Sequence, residues 1–360
     1  MQSHHGAPYS PCLTFYIMYK GKNMKNTILF FILLAVSCIH AAPIRILTTT
    51  TDLKSITQML TGDLAEVTSL TTGKEDPHDL TSRPSFVVKA RQADMWIRIG
   101  LELEIGWESA VLRDSRNRRI QVGAPGHLDV SQGIEPLDVP TSNTGREAGD
   151  VHPHGNPHYW LDPLNGRIIA HNIATRLMTL FPEHKETFAT NLILFEKKLD
   201  ERMFGKNLVA KVESGEKLWL MTIRGELDKY LQNNNLKADD DCWLGRLAPF
   251  RNAPVATYNR SWLYFLHRFN FQLAGELEPK PGIPPSAKHL LSLVDTFKQK
   301  GVRVILQEPF YSLKAAQLLS SRMGVKIVVC PNCVNGGDDC EDYFKMMDNL
   351  VVKLGDALAK

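Results

Sequence analysis

Pro43-Ile44-Arg45-Ile46-Leu47-Thr48-Thr49-Thr50-Thr51 is a short run rich in β-branched residues that ends in threonines. Such a run bounded by a polar cluster reads as a core strand. Asp52 to Leu60 follows with helical spacing, with Asp52 in the N-cap position. Glu66-Val67-Thr68-Ser69-Leu70 is a second strand and leads into the turn Gly73-Lys74-Glu75-Asp76-Pro77-His78. Helical pattern resumes through Phe86 to Gln92, and Met95-Trp96-Ile97-Arg98-Ile99-Gly100 is a third strand closed by glycine. Strand, helix, strand, helix in this rhythm implies a parallel sheet covered by helices.

Farther along, residues 138–157 are rich in Pro, Ser, Asn, Gly and His with little periodicity, which is the composition of a surface loop. A helix is expected from Asn165 to Leu180, stopped at Phe181-Pro182. Glu183 to about Val212 reads as one long helix, with Phe188, Leu192, Phe195, Leu199 and Met203 along one face. About 30 residues would span roughly 45 Å, enough to cross two lobes as a stiff connector. Residues 213–241, with Asn233-Asn234-Asn235 and Asp239-Asp240-Asp241, read as a polar surface excursion. The strand and helix rhythm then repeats. Strands are expected at Val255–Tyr258, Phe271–Glu276, Val302–Leu306 and Val325–Val329, and helices at Ser261–Phe269, Ser286–Lys300, Ala315–Arg322 and Tyr343–Lys360.

The expected fold class is therefore α/β, with two lobes, each a mostly parallel sheet covered by helices, joined by a long rigid helix above a cleft. The boundaries expected are 1–42 for an extension and leader, 43–182 for the first lobe, 183–212 for the connector and 213–360 for the second lobe.

The apolar run Ile28–Val36 follows Met24-Lys25-Asn26 and precedes Ala41-Ala42. A basic start, an apolar middle too short to span a bilayer and a small-residue exit make a secretory signal peptide. A buried strand or a membrane anchor is the alternative. On this reading residues 1–23 lie upstream of the true start, and the chain works in the periplasm or otherwise outside the cytoplasm. Cleavage after Ala41 is expected; Ala35-Val36-Ser37-Cys38 is a loose lipoprotein box that would leave Cys38 lipidated. The leader holds Lys20, Lys22 and Lys25 and no acid, so the net charge of +3 resides there and 39 basic residues face 39 acidic ones beyond it. A neutral mature chain with no basic stripe gives no support to nucleic-acid binding.

Chemistry concentrates in loops. His78 follows Asp76-Pro77, and His158 stands in Asn156-Pro157-His158-Tyr159-Trp160-Leu161-Asp162-Pro163. Proline restrains each turn, and two Pro-His turns in equivalent loops point to imidazole ligation of zinc or its neighbours. A solvent-exposed loop histidine is the bland alternative for either one alone. No His-Glu-x-x-His helix, Gly-x-Ser-x-Gly elbow or dinucleotide glycine fingerprint occurs, which argues against a secreted metallohydrolase.

These two segments, with Tyr258-Asn259-Arg260-Ser261-Trp262-Leu263-Tyr264-Phe265 and Glu278-Pro279-Lys280-Pro281-Gly282-Ile283-Pro284-Pro285, resemble in order the zinc/manganese solute-binding proteins of metal ABC transporters. The resemblance covers about residues 44–360. It implies one Zn²⁺ or Mn²⁺ held between two lobes, delivery to a membrane permease, a monomer and no enzymatic activity. It also implies His78 and His158 as ligands, Asn259 where relatives usually carry a histidine, and Glu308 as the acidic ligand or its orienting neighbour. An amide oxygen is a weaker, harder ligand than imidazole. A degenerate member with weak metal affinity, acting as an adhesin or interaction module, therefore stays open. His152 and His154 resemble a shortened version of the metal-gathering loop of relatives, and His267 is expected to be a surface or core residue. Beyond Val329, where many relatives place an aspartate, stands Cys330-Pro331-Asn332-Cys333. Cys330 and Cys333 are either auxiliary thiolate ligands or, as an oxidising compartment favours, partners in a disulfide with Cys340 or Cys242.

Overall fold

The computed structural model describes residues 42–140, 152–278 and 283–359. The expected leader, its cleavage point and Cys38 lie outside these residues. The first half comprises β1 (Ile44–Thr48), α1 (Thr51–Thr61), β2 (Ala65–Ser69), α2 (Pro84–Gln92), β3 (Met95–Arg98), α3 (Glu108–Ser115) and β4 (His127–Asp129). Helices α4 (Pro163–Leu180), α5 (Lys185–Phe204), α6 (Lys206–Val212), α7 (Gly215–Ile223), α8 (Leu227–Asn233) and α9 (Trp243–Leu247) follow. The second half comprises β5 (Pro254–Thr257), α10 (Leu263–Arg268), β6 (Gln272–Glu276), α11 (Ala287–Lys300), β7 (Val304–Gln307), α12 (Lys314–Met323), β8 (Lys326–Val329) and α13 (Tyr343–Ala359).

The strands form two four-stranded sheets, ordered β2-β1-β3-β4 and β6-β5-β7-β8, and every pairing is parallel. Strand β4 and helix α3 carry too little periodic signal in three and eight residues to be read from sequence. In each sheet the strand order reverses beside the first strand, and ligands of open α/β sheets bind beyond the carboxyl ends near such a point. His78 lies in the loop after β2 and His158 in the segment after β4, while Asn259 and Glu308 follow the adjacent strands β5 and β7.

Local chemistry shifts some of the expected boundaries. The N-cap of α1 is Thr50, whose hydroxyl accepts from Leu53 N at 3.4 Å. Asp52 is fully buried and accepts from Val334 N at 3.0 Å, tying the two halves of the chain. The connector expected over 183–212 is two helices, because Gly205 adopts φ 92°, ψ 146° and ends α5. A side chain at Gly205 would strike Asp239, so the break also lets another segment approach. The stripe Phe188, Leu192, Phe195, Leu199 and Met203 is buried as its spacing predicts, each side chain contributing about 2 kcal/mol. The stretch 213–241 is not merely a solvated excursion. Leu218, Trp219, Leu227 and Leu231 bury themselves, and the Trp219 indole donates to Asp200 at 2.6 Å.

One apolar core runs through both halves, from Ile46, Ile97 and Leu128 through the helices to Val255, Val304 and Leu306. Polar bridges accompany it: Tyr343 N donates to Ser55 Oγ at 2.9 Å, and Arg268 forks onto Asp162 at 2.7 and 2.8 Å. Among the described residues no helix is long and apolar enough to cross a membrane.

Candidate metal centre

The two Pro-His turns share a local design. Each begins with Asp or Asn two residues before the histidine, and that side chain accepts the histidine's backbone N–H. Asp76 Oδ1 takes His78 N at 3.0 Å, and Asn156 Oδ1 takes His158 N at 2.9 Å. Asx side chains favour this two-residue reach, and the intervening proline fixes φ. The fold then brings the histidines from residues 80 apart in sequence to face each other, with Nε2 to Nε2 at 3.2 Å. Their ring centroids lie 5.1 Å apart.

The surroundings settle which nitrogen of His158 is available. Asn156 Nδ2 donates to the Arg260 carbonyl at 2.9 Å, so the other end of that amide is oxygen. That oxygen lies 3.0 Å from His158 Nδ1, so Nδ1 is the donor, and in the neutral ring Nε2 carries the lone pair. Tyr264 donates to the Asn156 carbonyl at 2.8 Å, and Trp160 covers the His158 ring at 5.2 Å between centroids. Trp160 is itself held by Asn332 O at 2.7 Å. The following Tyr159 donates to the Ile99 carbonyl over a buried network in which Arg98 meets Glu108 at 2.5 Å, Asp129 at 3.4 Å and Glu104 at 3.7 Å. Burial pushes the Tyr159 phenol well above its usual range, so it stays a donor.

Asn259 is engaged differently. Its Oδ1 accepts from Ser261 N at 2.9 Å and Ser261 Oγ at 2.7 Å, and its Nδ2 donates to the Tyr311 hydroxyl at 3.0 Å. Its side chain thus caps the turn Arg260–Trp262. Glu308 is buried, with Oε1 against the Ser261 hydroxyl, whose single proton it shares with Asn259 Oδ1, and Oε2 without a hydrogen-bond partner among the described residues. Burial raises its carboxyl to about 7 against the pull of the Ser261 hydroxyl, and the nearby Asp76 charge raises it further.

The histidines expected in the metal-gathering loop separate. The His152 ring stands 4.9 Å from that of His78, whereas His154 is exposed, as is His267. Among the described residues no disulfide forms: Cys242, Cys330, Cys333 and Cys340 are free and buried. Two of the thiols have their own work: Cys242 caps α9 by accepting from Gly245 N at 3.3 Å, and Cys340 exchanges hydrogen bonds with Gly337. Cys333 lies near the buried Asp52, and its burial pushes the thiol well above its usual range. Burial pushes the Cys330 thiol up to about 12. Among the described residues no three His, Cys, Asp or Glu side chains converge as a ready metal cage. The geometry is a facing pair of imidazoles with His152 beside it, while Asn259 and Glu308, on the segments after β5 and β7, are already engaged with Ser261.

Sequence reasoning missed Asn156 and Tyr311. Asn156 carried a signal, since Asp-Pro-His and Asn-Pro-His are the same Asx-capped turn. Tyr311 carried none, because what it touches lies 52 and 235 residues away.

Residues 46–204 and 223–357 match the family described as ZnuA, zinc-uptake complex component A periplasmic. The chain belongs to this family. The metal ABC transporter substrate-binding lipoprotein FimA of Streptococcus parasanguinis is 30% identical over 159 residues, covering 44% of this chain and about half, 48%, of that relative. The corresponding lipoprotein SsaB of Streptococcus sanguinis is 23% identical over 89% of this chain and 91% of its own length. A crystal structure of ZnuA superposes with a TM-score of 0.63 at 20% identity, covering 88% of this chain and 99% of that one. A Mn-bound mutant of the periplasmic metal binding protein from candidatus liberibacter asiaticus gives 0.61 at 18% identity, covering 88% of this chain and 99% of that one. These likenesses carry the two-lobed α/β fold.

Proposed function

We propose that this ZnuA-family chain captures a divalent transition metal, Zn²⁺ first and Mn²⁺ second, outside the cytoplasm and delivers it to the membrane permease of an ABC transporter. The observation that carries the reading is the imidazole pair. Two Zn–N bonds of about 2.0–2.1 Å at a tetrahedral angle put their nitrogens about 3.3–3.4 Å apart. The His78 and His158 Nε2 atoms stand 3.2 Å apart, one edge of such a tetrahedron. Asn156 keeps the His158 lone pair toward that edge, as ligating histidines are commonly held. Glu308, whose Oε2 is buried and unbonded among the described residues, is the next ligand in this reading. Asn259, His154, Cys330 and Cys333 stand outside it, because their donor atoms are engaged, exposed or protonated. The metal is cargo, and nothing in this arrangement calls for a reaction.

A second reading, a member of weak affinity acting as an interaction module, draws on one observation: Asn259 spends its side chain on Ser261 and Tyr311. Zinc titration of the purified mature chain separates the two. The first reading expects tight binding of one Zn²⁺, lost by on the order of a hundredfold or more in His78→Ala and in His158→Ala, since a zinc site worth about 10–16 kcal/mol is shared among about four ligands. Negligible affinity in the parent favours the second reading, and undiminished affinity in both variants removes the site assignment.

A further inference from the structure

We propose that Tyr311 is a positioning residue for the metal site, a latch thrown across the cleft from the second lobe to the His78 turn. This rests on the reading of His78 as a ligand. The Tyr311 hydroxyl donates to Asp76 Oδ2 at 2.6 Å and accepts from Asn259 Nδ2 at 3.0 Å. The direction of both bonds follows from the groups. Asn259 Oδ1 is already filled by Ser261, so its nitrogen faces the phenol oxygen, which leaves the phenol's own proton for Asp76. The other oxygen of Asp76 caps the backbone N–H of His78 at 3.0 Å. A continuous chain therefore runs from Ser261 through Asn259, Tyr311 and Asp76 to His78.

The phenol ring is fixed independently of this chain. Tyr258 stacks on it at 4.4 Å and 16° between planes, and Phe310 packs edge-on at 4.7 Å. The hydroxyl is thus presented from a rigid aromatic wall at the end of β7, whereas the His78 loop is a single short turn held by Asp76 on the His78 N–H and by the Trp107 indole on the Pro77 carbonyl. The second lobe in this way sets the aim of a first-lobe histidine through Asn259 and Tyr311. Fixing a ligand from outside the coordination sphere is commonly worth 10- to 100-fold in metal affinity.

The full mature chain is titrated with Zn²⁺ against a chelator, and its Co²⁺ form is followed by absorption. Tyr311→Phe keeps the ring stack and removes only the hydroxyl. The expected result is a loss of zinc affinity of about 10-fold through faster release, with the Co²⁺ bands unmoved because the ligands are unchanged. Asp76→Ala removes the carboxylate through which Tyr311 acts, so Tyr311→Phe added to Asp76→Ala should bring no further loss. The inference is overturned if Tyr311→Phe binds zinc within about twofold of the parent. It is equally overturned if the two losses multiply, or if the Co²⁺ bands shift, which would make the phenol itself a ligand. A parent that binds no zinc, or that keeps its affinity in His78→Ala, overturns the underlying site as well, and that outcome is distinct from a tight-binding parent indifferent to Tyr311.

Discussion

Asn156 offers a perturbation whose two consequences can be separated. Its amide oxygen receives His158 N and Nδ1, at 2.9 and 3.0 Å, and its nitrogen gives one bond to Arg260 O at 2.9 Å. Asn156→Ala removes all three in a buried setting. At about 1 kcal/mol per bond the fold should lose about 3 kcal/mol. The His158 ring also loses the acceptor that selects its Nδ1-protonated tautomer, so zinc affinity should fall about 10- to 100-fold, or about 1.4–2.7 kcal/mol. Asn156→Asp keeps an oxygen against His158 and loses only the donor to Arg260. It should also destabilise, by about 1–3 kcal/mol, because the Arg260 carbonyl then faces a carboxylate. Its zinc affinity should match or exceed the parent's, since a carboxylate makes the imidazole a better donor. Chelator competition gives the affinities and urea unfolding the stabilities. Equal losses of affinity in the two variants, or parental affinity in Asn156→Ala, would refute the tautomer argument.

Three further outcomes are expected. Burial raises the Asp52 carboxyl from 3.8 to about 7. Its folded value exceeds its unfolded one, so its contribution is fully present below about pH 4 and lost as pH rises through about 7, by about 4 kcal/mol in all. Asp52→Asn should therefore be more stable than the parent at pH 8 and converge with it near pH 4, and parallel stability curves would contradict this. Gly73 has φ +85°, and a Cβ there would lie 2.0 Å from the Val334 carbonyl, so Gly73→Ala should cost about 3 kcal/mol or more; a melting temperature within about 2 °C of the parent would count against it. Asn259→Ala should lose about 1 kcal/mol of stability with its turn cap while leaving the Co²⁺ bands in place; a band shift would make Asn259 a ligand after all.

The fold was legible because its signals are local. Runs such as Ile44–Leu47 and Val304–Leu306, alternating with amphipathic helices, admit few arrangements other than parallel sheets with helical cover. The Gly205 break and the burial of Trp219 escaped that reading, since both depend on residues that only folding brings near: Asp239 for one, Asp200 for the other. The cysteines show the same limit. Spacing made a disulfide attractive, but what lies beside each thiol is set by the path of the backbone, and Cys333 comes near Asp52 rather than another sulfur.

By itself the sequence determined the class of the fold, the two Pro-His turns and the absence of known hydrolase motifs, because periodicity and proline's restraint act within a few residues. Only the tertiary structure decided that the two imidazoles face each other through Nε2, that Asn259 gives its amide nitrogen to Tyr311 and that Tyr311 reaches Asp76. Those facts rest on hydrogen bonds between groups far apart in the chain. Their partners are chosen by how the two sheets pack, and no local pattern encodes that.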